Sequence, residues 1–224
     1  MRQQLVWILV AAAVTLSSFV GAPYPRELVL QHLPTFSGLA GLALIVRRYD
    51  LPVSVFASLL GFWALHLIGA RWLYSYVPYD DWFRLLLGGS PSEWFGWRRN
   101  HYDRFVHLMF GALAMPVICR LTTWFQQRPG VTPAKSERLW VLMQGWIGVI
   151  ALSALYEIVE WGVAIAFSPE TAESYNGQQG DLWDAQKDMA LATVGAALVV
   201  VGQLAMLTRP VRGGERSSRH SPSN

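Results

Sequence analysis

The chain is 224 residues long, 53% apolar and only 15% charged, with 18 basic residues against 15 acidic for a formal charge of +3, and it holds eleven tryptophans. One domain fits this length. Charge far below the roughly 25% of soluble domains, with apolar residues gathered in long blocks, excludes a disordered chain and argues against a water-soluble enzyme. A single cysteine, Cys119, excludes an intrachain disulfide framework and a Cys-based zinc cluster. What remains is a polytopic membrane protein.

A helix needs roughly 20 apolar residues to cross about 30 Å of hydrocarbon. Six stretches qualify, near residues 5–20, 28–46, 51–70, 105–125, 139–167 and 189–207. The first, with Arg2 ahead of it and Ser17, Ser18, Gly21 and Ala22 behind, also has the outline of a signal peptide. Phe19 and Val20 make a poor cleavage site, and Pro23 and Pro25 read as an ordinary loop, so it is taken as a span. The second is interrupted at its start by Gln31, His32 and Pro34. Six spans put both ends on one side of the membrane. If that side is the cytoplasm it holds 11 of the 18 basic residues, among them Arg47, Arg48, Arg120 and Arg138, against three acids. This bias gives an N-in, C-in orientation.

The fold expected is therefore all-α: a six-span membrane helix bundle over residues 1–208, with a basic, disordered cytoplasmic tail over 209–224. Residues 71–100, between spans three and four, scatter Trp72, Tyr74, Trp82, Phe83, Trp94 and Trp97 among charges. Amphipathic rings favour the headgroup layer, so this loop is read as interfacial, with a short helix over 80–87 ended by Gly88 and Gly89. Within the spans, His32 and His66 are read as interhelical hydrogen-bonding groups. Gly38 with Gly41, and Gly145 with Gly148, are read as close-packing positions.

Polar groups recur where hydrocarbon should select against them. Asn100-His101-Tyr102-Asp103-Arg104 with His107 opens the fourth span, and a helix there sets Asp103 and His107 on one face. Tyr156-Glu157 with Glu160 lies in the fifth span, its carboxylates three residues apart. Asp181, Asp184 and Asp188 lead into the sixth on one stripe. At about 1.5 Å of rise per residue, His107 lies roughly 9 Å inside its span, Glu160 and Glu157 roughly 10 and 15 Å, and Asp188 roughly 10 Å below Asp181. The three segments reach one level in the outer half of the bilayer. An ionised carboxylate at that depth costs a few kcal/mol or more unless paired or hydrated, so the groups should face one another across the bundle. Milder roles exist for some of them: Asp181 and Asp184 as caps of the last helix, and Arg98, Arg99 and Arg104 as headgroup charges.

Three functions compete for this chemistry. An imidazole among carboxylates suits a divalent ion such as Zn, Mn or Mg. In that reading Asp103, His107, Glu157 and Asp184 are ligands, Glu160 or Asp188 a general base, and Arg104 the contact to an anionic headgroup or phosphate. Asn100, His101, Tyr156 and Asp181 complete the pocket, and the substrate is lipid-linked or belongs to the cell envelope. The second is a proton- or cation-coupled transporter using Glu157 and Glu160; the third is a structural or partner-binding protein whose cluster locks helices together. Basic residues spread among loops and tail argue against a nucleic-acid partner.

The three ordered motifs resemble the YjdF-type family of bacterial inner-membrane proteins, which has no assigned molecular function. The likeness runs over about residues 5 to 207 and rests on Arg99-Asn100-His101-Tyr102-Asp103-Arg104 with His107, Ser153-Ala154-Leu155-Tyr156-Glu157 with Glu160-Trp161, and Gln179-Gly180-Asp181-Leu182-Trp183-Asp184 with Gln186 and Asp188. It implies a multi-pass inner-membrane protein. A remoter resemblance is to VanZ-like membrane proteins, whose Asp-Lys/Arg-x-x-His helix, mid-span Glu and later Asp would fall on Asp103, Arg104, His107, Glu157 and Asp184. Glu160 and Asp188 stand where that pattern tends to place Gln and Asn. The departures add negative charge and so favour a cation.

Overall fold

The computed structural model describes residues 2–126, 134–166 and 177–207, and among them every regular element is helical. The elements are α1 (Arg2–Ser17), α2 (Pro25–Arg48), α3 (Val53–Arg71), α4 (Tyr79–Leu87), α5 (Pro91–Phe95), α6 (Tyr102–Gln126), α7 (Lys135–Ala166) and α8 (Asp184–Leu207). Five of them, α2, α3, α6, α7 and α8, are long and apolar enough to cross a membrane. The first expected span is the exception: α1 has 16 residues, about 24 Å of helix against roughly 30 Å of hydrocarbon. The basic tail expected over 209–224 lies outside the described residues.

The helices fall into two packed groups. α1 lies on α2 and α3; α6 contacts α8 most extensively and α7 next, and the groups meet where α3 packs on α6. The α6–α8 crossing is a backbone contact. A Cβ built on Gly111 would lie 1.9 Å from the Ala192 carbonyl oxygen, and one on Gly195 would lie 2.0 Å from that of Leu108. Lipid tails are as apolar as leucine, so helices in a membrane gain from close van der Waals fit rather than from hydrophobicity, and two glycines allow that approach. Met115, Val149, Ala192 and Ala196 form the core beside it. Gly145 and Gly148 pack as expected, against Cys119 and Ile118. Gly38 and Gly41 do not: a Cβ at either would meet no atom within 4 Å, because α2 stands back from its neighbours along that face.

α3 ends in a turn that matters for the site. Leu73 and Tyr74 both adopt left-handed backbone, with φ of 50° and 55°, and the Tyr74 N–H donates to the Gly69 carbonyl at 2.7 Å. The turn folds the Tyr74 ring back over Gly69, where a Cβ would lie 2.5 Å from it. It brings the phenol to His66 Nδ1 at 2.5 Å. The other face of that imidazole, Nε2, meets Thr35 Oγ1 at 2.7 Å, while His32 Nε2 meets Ser18 Oγ at 2.8 Å. Both histidines thus pair with hydroxyls across helices, as expected of them.

The aromatic loop is more ordered than the sequence reading allowed. α4 ends at Gly88 with φ of 76°, close to the expected bounds. A further helix, α5, follows; it opens on a capping box in which the Ser90 hydroxyl accepts from the Glu93 N–H and the Glu93 carboxylate accepts from that of Ser90. Arg84 clamps the two helices, with Glu93 at 2.8 Å and Asp81 at 3.0 Å. Leu85, Leu86 and Leu87 are left exposed.

Candidate functional site

The start of α6 is fixed by Asn100. Its side-chain oxygen accepts from the Tyr102 N–H at 3.0 Å and its amide donates to the Val77 carbonyl at 2.8 Å. Gln179 bonds the backbone of Asn100 in both directions, at 2.9 and 3.1 Å. Tyr102 then donates to the Leu65 carbonyl on α3 at 2.9 Å. These bonds set the register of α6, so Asp103 and His107 both turn into the bundle and are buried. His101 turns away, its ring 4.4 Å from that of Trp97. Burial, followed by the charges of Arg104 and Arg99, lowers its pKa.

Next to this start lies a closed set of charges. Arg99 reaches Asp184 at 2.7 Å and Asp181 at 3.3 Å; Arg104 pairs with Asp181 and, at 3.4 Å, with Asp184; Lys187 reaches Asp181 at 2.6 Å. The Lys187 ammonium, the Trp183 N–H and Arg104 hold the Asp181 carboxyl well below the usual carboxylate range. Arg99 and Arg104 are thus largely buried in ion pairs with acids of their own chain. Asp184 opens α8 between two guanidiniums, which accounts for its charge.

One turn further along α8, Asp188 arrives beside Asp103 and His107. One donor atom from each of these three residues lies within 4.8 Å of the others, and all three are buried. His107 Nε2 is 3.7 Å from Asp103 Oδ1, and Nδ1 is 3.9 Å from Glu157 Oε1 on α7. The structure thus groups Asp188, rather than Asp184, with Asp103 and His107, because two arginines occupy Asp184 at the mouth. Asp188 Oδ1 and Glu157 Oε1 have no hydrogen-bond partner, and Asp188 is only 2% exposed. The Tyr156 ring meets His107 edge-on at 5.8 Å, and Glu160 is half-buried further along α7.

The sequence reading gave no role to Ser153, whose hydroxyl is buried without a partner four residues before Glu157. Its signal was spacing, since residues four apart share a helix face. Ser153, Tyr156, Asp103 and His107 line a groove of about 740 Å³ that continues between α2, α3 and α6 past Leu39, Phe62 and Phe110.

A bundle of helices this long and apolar is an integral membrane protein. The family described as "Predicted membrane protein (DUF2238)" matches residues 3–209. The chain belongs to it. It is also 29% identical, over 155 residues, to the inner membrane protein YjdF of Escherichia coli (strain K12), covering 69% of this chain and 66% of the length of that relative. The YjdF-type likeness carried by the three motifs is borne out. No solved structure matches the chain.

Proposed function

We propose that this protein is a multi-pass inner-membrane enzyme that binds a divalent metal ion through Asp103, His107 and Asp188 and acts on a lipid-linked or envelope substrate. The observation that carries the reading is Asp188 Oδ1, buried and unpartnered beside Asp103 and His107. Three carboxylates meet there with one imidazole, while Arg99 and Arg104 are spent on Asp181 and Asp184. A cation is the missing charge. Burying a carboxylate without a partner costs several kcal/mol, and a divalent ion relieves that for two at once.

The donor set suits Zn or Mn and, through its two carboxylates, Mg. A tetrahedral ion with bonds near 2.1 Å needs donors about 3.4 Å apart, so the present limit of 4.8 Å closes by small side-chain rotations. Glu157 faces His107 Nδ1 and so directs Nε2 towards the carboxylates, a positioning role common behind metal-bound histidines. Glu160 is the nearby candidate for proton acceptor. Bound metal would supply Lewis acidity and an activated water, beside the groove that Ser153 and Tyr156 line. The cytoplasmic-ward wall of that groove, at Val117, Leu121 and Val55, is apolar, which favours an enzyme over a transporter with a through-path for ions.

The same reading has six spans with both ends in the cytoplasm, α1 crossing with help from the turn that follows it. Metal analysis of purified protein after mild dialysis tests the proposal. Close to one equivalent of Zn or Mn per chain, lost in Asp188→Asn, supports it; stoichiometry near zero in the wild type refutes it.

A further inference from the structure

We infer that the groove leading from the Asp103–His107 site holds one long hydrocarbon chain, with its polar end at Ser153 and His107. This deepens the enzymatic reading and rests on it for the reaction at the mouth; the occupant is argued from the groove itself. On α2 its lining runs from Gln31 to Ile45 and on α6 from Asp103 to Leu121, about 21 and 27 Å of helix. It therefore lies along the span through most of a hydrocarbon layer roughly 30 Å thick. About 740 Å³ falls within the roughly 300–1,000 Å³ of sites that enclose one small molecule.

Polarity is confined to one end. His66 and Thr35 face that end from one side, Asp103, His107 and Ser153 from the other, and beyond them the lining is apolar. Ser153 is buried there and its hydroxyl has no partner. The apolar stretch of the groove offers water no hydrogen-bond partners, and in a bilayer the available filler is hydrocarbon. Simple filling by bulk lipid needs no polar end; a chain carrying a hydroxyl, ester or phosphoester does, and Ser153 offers it a hydrogen bond. Gly38 and Gly41, one helical turn apart, leave the middle of the groove open, since a Cβ at either meets nothing within 4 Å.

The glycines supply the test. Full-length protein in phosphatidylcholine liposomes is photolabelled with palmitic acid bearing a diazirine, and label on groove-lining segments of α2 and α6 is compared with label on the exposed face of α8. In Gly38→Leu/Gly41→Leu the groove label should fall about tenfold, equivalent to about 1.4 kcal/mol, with α8 label, melting temperature and metal content unchanged. If the double variant unfolds, either single substitution gives the same reading. Excess unlabelled palmitic acid should compete groove label away but leave α8 label intact; competition by a polyprenyl alcohol instead would identify an isoprenoid chain. Groove label that follows α8 label through every variant and competitor overturns the inference. Asp188→Asn separates the two proposals: it should abolish metal binding and keep the groove label.

Discussion

Replacing Gly195 by alanine puts the largest load on the smallest change. The added methyl would lie 2.0 Å from the Leu108 carbonyl oxygen, where real Cβ contacts essentially never fall below 3.0 Å. The obstacle is backbone, so no rotamer relieves it, and α6 and α8 must part by about 1 Å. A gap of that size forfeits roughly a quarter to a half of the dispersion attraction across the contact. Overpacking costs typically about 1–3 kcal/mol, and a backbone clash belongs at or above the top of that range. At about 2–4 °C per kcal/mol for a chain this long, thermal unfolding in detergent should drop by roughly 6–12 °C. The displacement also carries Asp188 away from Asp103 and His107, so metal retention should fall with it. Gly202→Ala is the matched control, on the same helix with nothing within 4 Å; better helix propensity should make it neutral or up to about 1 kcal/mol stabilising. Equal melting temperatures for the two variants would refute the backbone contact.

Three further outcomes follow from the site and its supports. Asp181 has its pKa lowered by Lys187, the Trp183 N–H and Arg104, so its contribution is complete above the ordinary aspartate pKa near 4 and is lost as pH falls below that towards the folded value; melting curves of wild type and Asp181→Asn should differ most at neutral pH and converge in strong acid. Gly69→Ala pushes a methyl into the Tyr74 ring and should cost about 1–3 kcal/mol, with thermal stability recovered in part by Gly69→Ala/Tyr74→Ala. In metal-free protein, Asp188→Asn removes a buried unpartnered carboxylate and should raise the melting temperature, whereas in metal-loaded protein the same change should lower it; a fall of equal size in both states would exclude the metal reading.

That these groups lie together was legible because apolar runs make every ionisable residue conspicuous: Asp103, His107, Glu157 and Asp188 stand out in them, and helical spacing puts them on inward faces. How Arg99, Arg104, Asp181 and Asp184 pair was not legible, because Arg99 and Asp181 are 82 residues apart and either could equally have faced headgroups. That pairing decides which aspartate of α8 remains unneutralised. α5 was written plainly in Ser90-Pro91-Ser92-Glu93, a capping box with proline at the first helical position, yet a helix of five residues has no periodicity to announce it. Glycines were the hardest to read. Gly38 and Gly41 look like Gly145 and Gly148 in one dimension, and only the separation between helices decides that the first pair borders a groove and the second a contact.

The clasp between Arg99, Arg104, Asp181 and Asp184 also orders events during biosynthesis. Both arginines precede their aspartates by some eighty residues, so the clasp can close only after residues 181–184 have been made. Arrival of α8 neutralises them and delivers Asp188 in the same motion. A chain that stopped before α8 would leave both guanidiniums without these partners and the site without Asp188.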